Sequence, residues 1–241
     1  MRRIYISNLN ENSKNIIIKK GDREFHHLKN VLRAAAGDVF EGFNGNGIVA
    51  QMKIIKVENN TLYLESVSVH KDSHAKQSNI NLAVAVVKRK YFNFILKTAV
   101  QMGVKNIYPF ICEYSYTKKI APEIIDKWNT VIIEAAKQSG NNHLTFIKKI
   151  YTFKDILDSD IRNICYFDKN GESIYNNKIK SFKKNEDILL IIGPEGGLSK
   201  QEKKYLKDKG ANCYGLNFNV LRTEIAVVSI LSLIKYIAGE A

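Results

Sequence analysis

The chain is poor in the residues that stiffen, staple or ligate. Its 241 residues include three prolines, three cysteines and one tryptophan. So few prolines leave little room for rigid linkers. Cys112, Cys165 and Cys213 lie far apart with no paired spacing, so neither a disulfide framework nor a zinc site is expected. A reducing, cytoplasmic setting is the simplest. The longest apolar run, 188–192, is far short of the roughly 20 residues that cross a bilayer. The start, Met1-Arg2-Arg3-Ile4 and then Ser7-Asn8, lacks the apolar core of a signal peptide. Neither the phosphate-cradling Gly-Lys-Ser/Thr loop nor the G-x-G-x-x-G dinucleotide spacing occurs, and no internal repeat is visible. The five histidines do not adjoin the loops singled out below, so histidine acid–base catalysis is not favoured. His26-His27 lacks the i, i+4 geometry of a metal pair. The expectation is a globular protein with no membrane partner and no metal.

What is abundant is positive charge: 37 Lys+Arg against 24 Asp+Glu, a formal +13. Residues 1–72 carry 11 basic and 8 acidic side chains, and the remainder 26 and 16. Such an excess fits a polyanion such as nucleic acid, where each neutralised phosphate releases counterions. A lysine-rich solvated surface explains it as well. Hydrophobic residues, at 45%, suffice for a packed core.

Residues 1–72 are mostly β in pattern. Apolar runs at 16–18, 39–43 and 48–52 and a stretch at 61–69 read as strands, with Asn44-Gly45 as a hairpin signal. One helix is expected over 23–35, stopped by Gly37. Together these predict a small barrel. The polar stretch 70–79 is the linker candidate. From residue 73 on, strands over 80–87, 107–112, 164–167, 188–192 and 213–216 alternate with helices over 91–102, 122–138, 200–207 and 225–237. That alternation predicts an α/β parallel sheet. Ser199 with Glu202 three residues on is a capping-box signature.

Two loops stand out chemically. Residues 191–199, Ile-Ile-Gly-Pro-Glu-Gly-Gly-Leu-Ser, end a strand and open a helix. Glycines let a ligand approach the backbone, and ligands bind beyond the carboxyl ends of parallel strands. An ordinary β–α turn is the plain alternative. Residues 216–224, Leu-Asn-Phe-Asn-Val-Leu-Arg-Thr-Glu, also join a strand to a helix. There Thr223 can cap the helix and Glu224 suits its positive end. Arg222 does not, and a cation placed against that field points to an anionic partner. In the N-terminal helix, Phe25, Leu28 and Leu32 form an apolar face, while His26, Lys29 and Arg33 form a basic stripe that grips phosphate or simply faces solvent.

These motifs resemble the SPOUT methyltransferases, and more closely the bacterial 16S ribosomal RNA uridine N3-methyltransferases. The resemblance rests on Gly-Pro-Glu-Gly-Gly-Leu-Ser at 193–199 and Leu-Arg-Thr-Glu at 221–224. It extends to His27-Leu28-x-x-Val31-Leu32-Arg33, to Lys97 through Val104, and to Glu134 through Gly140. It implies a PUA-like RNA-binding barrel at 1–72 and a SPOUT domain at 73–241 with a trefoil knot, acting as a homodimer on 16S rRNA of the small subunit. S-adenosylmethionine is the implied cofactor, held by Ile192, Gly193, Pro194, Glu195, Gly197 and Leu198, and by Leu216, Asn217, Val220, Leu221 and Thr223. Catalysis falls to Arg222, stabilising charge on the uridine oxygens, and to Glu224, which accepts the N3 proton or caps its helix. Arg2, Arg3, Lys29, Arg33 and Lys88 are the implied RNA contacts. The rival readings are a non-catalytic rRNA-binding assembly factor on the same fold and, more distantly, an NAD-dependent oxidoreductase.

Overall fold

A computed structural model describes residues 2–72, 78–158, 161–175, 186–216 and 219–238. The chain separates into two compact units, one of Met1–Lys76 with Ile133–Leu144, the other of Gln77–Ile132 with Thr145–Ala241.

The first unit is built on a five-stranded sheet ordered β1-β3-β4-β5-β2. Its strands are β1 (Arg3–Tyr5), β2 (Asn15–Lys19), β3 (Val39–Phe43), β4 (Ile48–Val57) and β5 (Thr61–Lys71). Ile4 on one edge strand and Ile16 and Ile18 on the other enter one core with Phe40, Met52 and Leu64. The sheet therefore curls, although β1 and β2 are not neighbours in it. Alternation drives this: in β2, Ile16 and Ile18 are buried while Asn15, Ile17 and Lys19 are exposed. The hairpin at Asn44-Gly45 is present as a four-residue turn, in which Asn44 Oδ1 accepts the Asn46 and Ile48 N–H groups at 2.8 and 3.1 Å. Gly45 sits at φ +78°, a conformation that glycine adopts without strain.

Two expectations are corrected here. The helix is not continuous over 23–35: α1 (Arg23–His26) passes into a π turn at His27–Val31 and ends at Leu32. Arg33 then adopts φ +50°, off the helix and off the stripe with Lys29. The strand β5 runs on through His70 and Lys71, so the polar stretch begins later than its composition predicts. Residues 73–77 of that stretch lie outside the described residues.

The second unit holds a sheet ordered β12-β10-β11-β6-β7-β8, with β9 also on β7, and every pairing is parallel. These strands are β6 (Ile80–Ala85), β7 (Asn106–Ile111), β8 (Phe146–Ile147), β9 (Tyr151–Thr152), β10 (Asn163–Ser173), β11 (Ile188–Ile192) and β12 (Asn212–Gly215). Its helices are α2 (Arg89–Gln101), α4 (Lys200–Asp208) and α5 (Thr223–Ala238), while α3 (Ile124–Ser139) starts in this unit and has its residues from Ile133 on in the first. β6 and β11 are buried at every position, which is why they read as unbroken apolar runs. In α2, Phe92, Ile95, Leu96, Ala99 and Val100 form the buried stripe that a 3.6-residue period demands. The larger of these, Phe92, Ile95, Leu96 and Val100, each contribute about 1.5–3 kcal/mol when fully withdrawn from water. Because all the strands run the same way, the loops after β6, β7, β10, β11 and β12 leave from one edge. Among the described residues no helix is long and apolar enough to cross a membrane.

Candidate functional site

At that edge the loop after β11 and the loop after β12 line one cavity of about 320 Å³. Its walls include Ile192, Gly193, Pro194, Glu195 and Gly197 from the first loop. Leu216, Val220, Leu221 and Thr223 come from the second. The two loops are tied together where α5 begins: the Thr223 hydroxyl donates to the Gly193 carbonyl at 3.2 Å. Thr223 is therefore not the cap expected of it. It is the first helical residue, with Arg222 before it accepting the Ile225 and Ala226 N–H groups at 3.0 and 2.9 Å. Leu198 lies behind the wall: it is buried, and a Cβ on Gly193 would come within 3.2 Å of its Cγ. Asn217 lies outside the described residues.

A third wall comes from β10, and the sequence reading missed it. The register of β10 on β12 shifts between Phe167 and Glu172, so the residues between them bulge out of the ladder. Asp168 and Lys169 from this bulge line the cavity, with Lys203 of α4. Asp168 pairs with Lys203 and accepts the Asn170 N–H at 3.1 Å. Burial pushes the Asp168 carboxyl up, but the Lys203 ammonium and the Asn170 N–H outweigh it and hold the group below the usual carboxylate range. Backbone crowding sets the bulge: a Cβ on Gly171 would lie 2.3 Å from the Tyr214 carbonyl carbon, and one on Gly215 2.9 Å from the Gly171 oxygen. The turn residues Asp168-Lys169-Asn170-Gly171 straight after an apolar run were the available signal.

Neither residue of the expected catalytic pair lines the cavity. Arg222 is exposed. Glu224 is buried in the first turn of α5, and its Oε2 has no hydrogen-bond partner among the described residues.

The expected RNA contacts divide. In the first unit Arg2 and Arg33 are exposed. Arg3 is drawn inward: its guanidinium donates to Glu41 Oε1 at 2.6 Å, to the Ala136 carbonyl at 3.0 Å and to Asn142 Oδ1, and covers the Phe43 ring at 4.4 Å. It is no free cation for phosphate, because these partners hold the guanidinium and its side chain is only 8% exposed. Lys29 is likewise pinned to the carbonyls of Glu58 and Asn59. In the second unit Lys88 is exposed at the N-cap of α2, with Nζ 5.7 Å from the centre of the Tyr116 ring. Among the described residues no cluster of three His, Cys, Asp or Glu could hold a metal.

Comparison with known proteins then decides the family. Residues 74–235 match an RNA methyltransferase domain, and residues 21–65 match an RNA methyltransferase PUA domain. The chain is 30% identical over 242 aligned residues to the ribosomal RNA small subunit methyltransferase E of Rickettsia conorii, covering 99% of this chain and 96% of that protein. The chain belongs to this methyltransferase family. The family member of Bacillus subtilis is 26% identical over 88% of this chain and 87% of its own length. In three dimensions, the chain superposes on a ribosomal RNA small subunit methyltransferase E from Neisseria gonorrhoeae, bound to S-adenosyl methionine, with a TM-score of 0.86 at 23% identity. That match covers 98% of this chain and 97% of the other. The parallel α/β sheet with an N-terminal PUA-like domain is thus the family's fold.

Proposed function

We propose that the chain transfers a methyl group from S-adenosylmethionine to N3 of a uridine in 16S rRNA of the small subunit. In this reading residues 1–72 are the RNA-binding domain and 73–241 the methyltransferase domain. The active form is a cytoplasmic homodimer, and the loops at 192–198 and 216–222 belong to a trefoil knot. The observation that carries it is the convergence of both loops, joined by the Thr223–Gly193 hydrogen bond, on one cavity.

The residues present fit the cofactor. The cavity, at about 320 Å³, lies within the roughly 300–1,000 Å³ of small-molecule sites. Ile192, Leu216 and Leu221 offer apolar faces to a flat adenine, and the loop amides and carbonyls offer polar partners to its edge. Glu195 and Asp168 supply acidic groups for hydroxyls or a cation. The Neisseria gonorrhoeae relative was crystallised with this molecule. When bound, the cofactor supplies a methyl group made electrophilic by its sulfonium.

The protein's own work is to hold the base and manage one proton. N3 lies on the pairing edge, so the uridine must be unpaired or flipped out. Loss of the N3 proton leaves negative charge on O2 and O4. Arg222, exposed at the head of α5 between the wall residues Leu221 and Thr223, stabilises that charge. Glu224, with a carboxylate oxygen free of partners among the described residues, accepts the proton or serves only the start of its helix. Lys88, Arg2 and Arg33 are the exposed cations that meet phosphate.

Mass spectrometry of 16S rRNA from a deletion strain tests the whole. A uridine methylation must vanish, return on add-back of the wild type, and stay absent with Arg222→Ala. Unchanged rRNA sinks the proposal. Calorimetry against S-adenosylmethionine and NAD separates the enzyme from its two rivals.

A further inference from the structure

The loop that follows β7 has no part in the cavity, yet it is built with unusual care for a surface loop. Ser115 is buried, donates its N–H to the Cys112 carbonyl at 3.2 Å and accepts the Cys112 N–H on its hydroxyl at 2.9 Å. Lys118 Nζ reaches back to the Cys112 carbonyl at 2.6 Å and to that of Glu113. Glu202, already the capping-box residue of α4, accepts the Glu113 N–H at 2.8 Å. This framework holds two aromatic rings outward. Tyr114 is 51% and Tyr116 63% exposed, on either side of the buried Ser115.

Their position matters. A Cβ on Gly196, which lines the cavity, would lie 3.1 Å from Tyr114 Cβ, so Tyr114 stands directly on the lip of the loop after β11. Lys88 sits over the Tyr116 ring. Exposed rings on a rigid loop, with lysine beside them, are the elements of a stacking platform for single-stranded nucleic acid: each base offers a π-face and each phosphate a charge. Tyrosine brings large flat area at small cost in side-chain entropy, and prior rigidity of the loop lowers that cost further.

We propose that Tyr114 and Tyr116 form a stacking platform for unpaired RNA bases at the rim of the cavity, with Lys88 meeting the adjoining phosphate. The platform holds the extruded strand so that the target base can enter. This inference rests on the methyltransferase reading, because it assumes that RNA approaches this edge. The rival occupant of two exposed rings is a second copy of the chain. The lysine beside Tyr116 favours RNA, because a phosphate is drawn to that cation whereas a second copy would bring the same cation against it.

The test uses the full-length protein and a short single-stranded RNA containing uridine beside 2-aminopurine, whose fluorescence drops when it stacks. Tyr116→Ala is the clean variant, because this ring is well exposed and, unlike Tyr114, is not set against the cavity residue Gly196. It is expected to weaken RNA binding roughly tenfold and to abolish the fluorescence change, with Tyr114→Ala acting in the same direction. Tyr116→Phe keeps both, since the ring and not the hydroxyl does the stacking. Affinity for S-adenosylmethionine by calorimetry stays at the wild-type value in the Tyr116 variants. Wild-type RNA affinity and quenching in both alanine variants overturn the proposal. So does a double variant that sediments as a smaller species while its RNA affinity per site is unchanged, because the patch then belongs to a second copy. Should the wild type bind no S-adenosylmethionine while RNA stacking still depends on the tyrosines, the platform stands and the methyl-transfer reading falls.

Discussion

The Thr223 hydroxyl donates to the carbonyl of Gly193 at 3.2 Å, across thirty positions of sequence. It joins the first residue of α5 to the residue that follows β11, and both line the same cavity. Thr223→Val keeps the shape and removes the donor, which strands a carbonyl in the wall. The expected cost is about 1–2 kcal/mol of stability and roughly tenfold in affinity for S-adenosylmethionine. Thr223→Ser restores most of both. Calorimetry and thermal melting check this, and equal binding by the valine and serine variants contradicts it.

The close approach of β10 and β12 predicts a sharp contrast between two glycines. Gly171→Ala places a Cβ 2.3 Å from the Tyr214 backbone and must push the strands apart. More than about 2 kcal/mol of destabilisation is expected, with loss of cofactor binding because the bulge carries Asp168. Gly210→Ala meets nothing within 4 Å and bears only the strain of φ +78°, about 1 kcal/mol, with cofactor binding retained. Urea denaturation with parallel binding assays distinguishes them.

The Asp168–Lys203 pair sets a pH dependence of known sign. The folded state holds the Asp168 carboxyl below its ordinary value. Its contribution is therefore complete above the unfolded value of about 3.9 and is lost as pH falls through the lower folded value. Asp168→Asn should be less stable than wild type at neutral pH, and the gap should close only below about pH 4. Denaturation midpoints across that range decide the matter. A gap that persists unchanged in acid rules the pair out as its source.

Adjacent arginines should behave in opposite ways. Arg3→Ala strands Glu41 and the Ala136 carbonyl and uncovers Phe43, so the first unit should lose about 3 kcal/mol. Arg2→Ala, at an exposed position, should change stability by less than about 0.5 kcal/mol. If Arg2 meets phosphate, its variant instead flattens the salt dependence of RNA binding. Chemical denaturation and salt titration read the two effects separately.

The parts legible in sequence were those with local causes. Ser199 and Glu202 form the capping box their spacing announces, and β11 ends in the glycine turn its residues describe. What escaped depends on residues far apart. The Asp168 bulge exists because Gly171 meets Tyr214 and Gly215. Arg3 is consumed by residues 41, 136 and 142, which no local pattern brings to it. The N-terminal helix stopped short because a π turn and the left-handed Arg33 replaced its last turn, while Leu28 still reached the core.

The strand order has a consequence for how the molecule is made. β11 enters between β6 and β10, pairing Ile80 with Ile188, so the middle of the sheet is completed by a segment synthesised long after its first neighbour. Until residues 188–192 leave the ribosome, β6 and β10 each present an open flank able to capture a strand from another nascent chain. Pairing at such sequence distance is slow. A translational pause just before β11 should therefore raise aggregation during expression, whereas one placed after α5 should leave it unchanged.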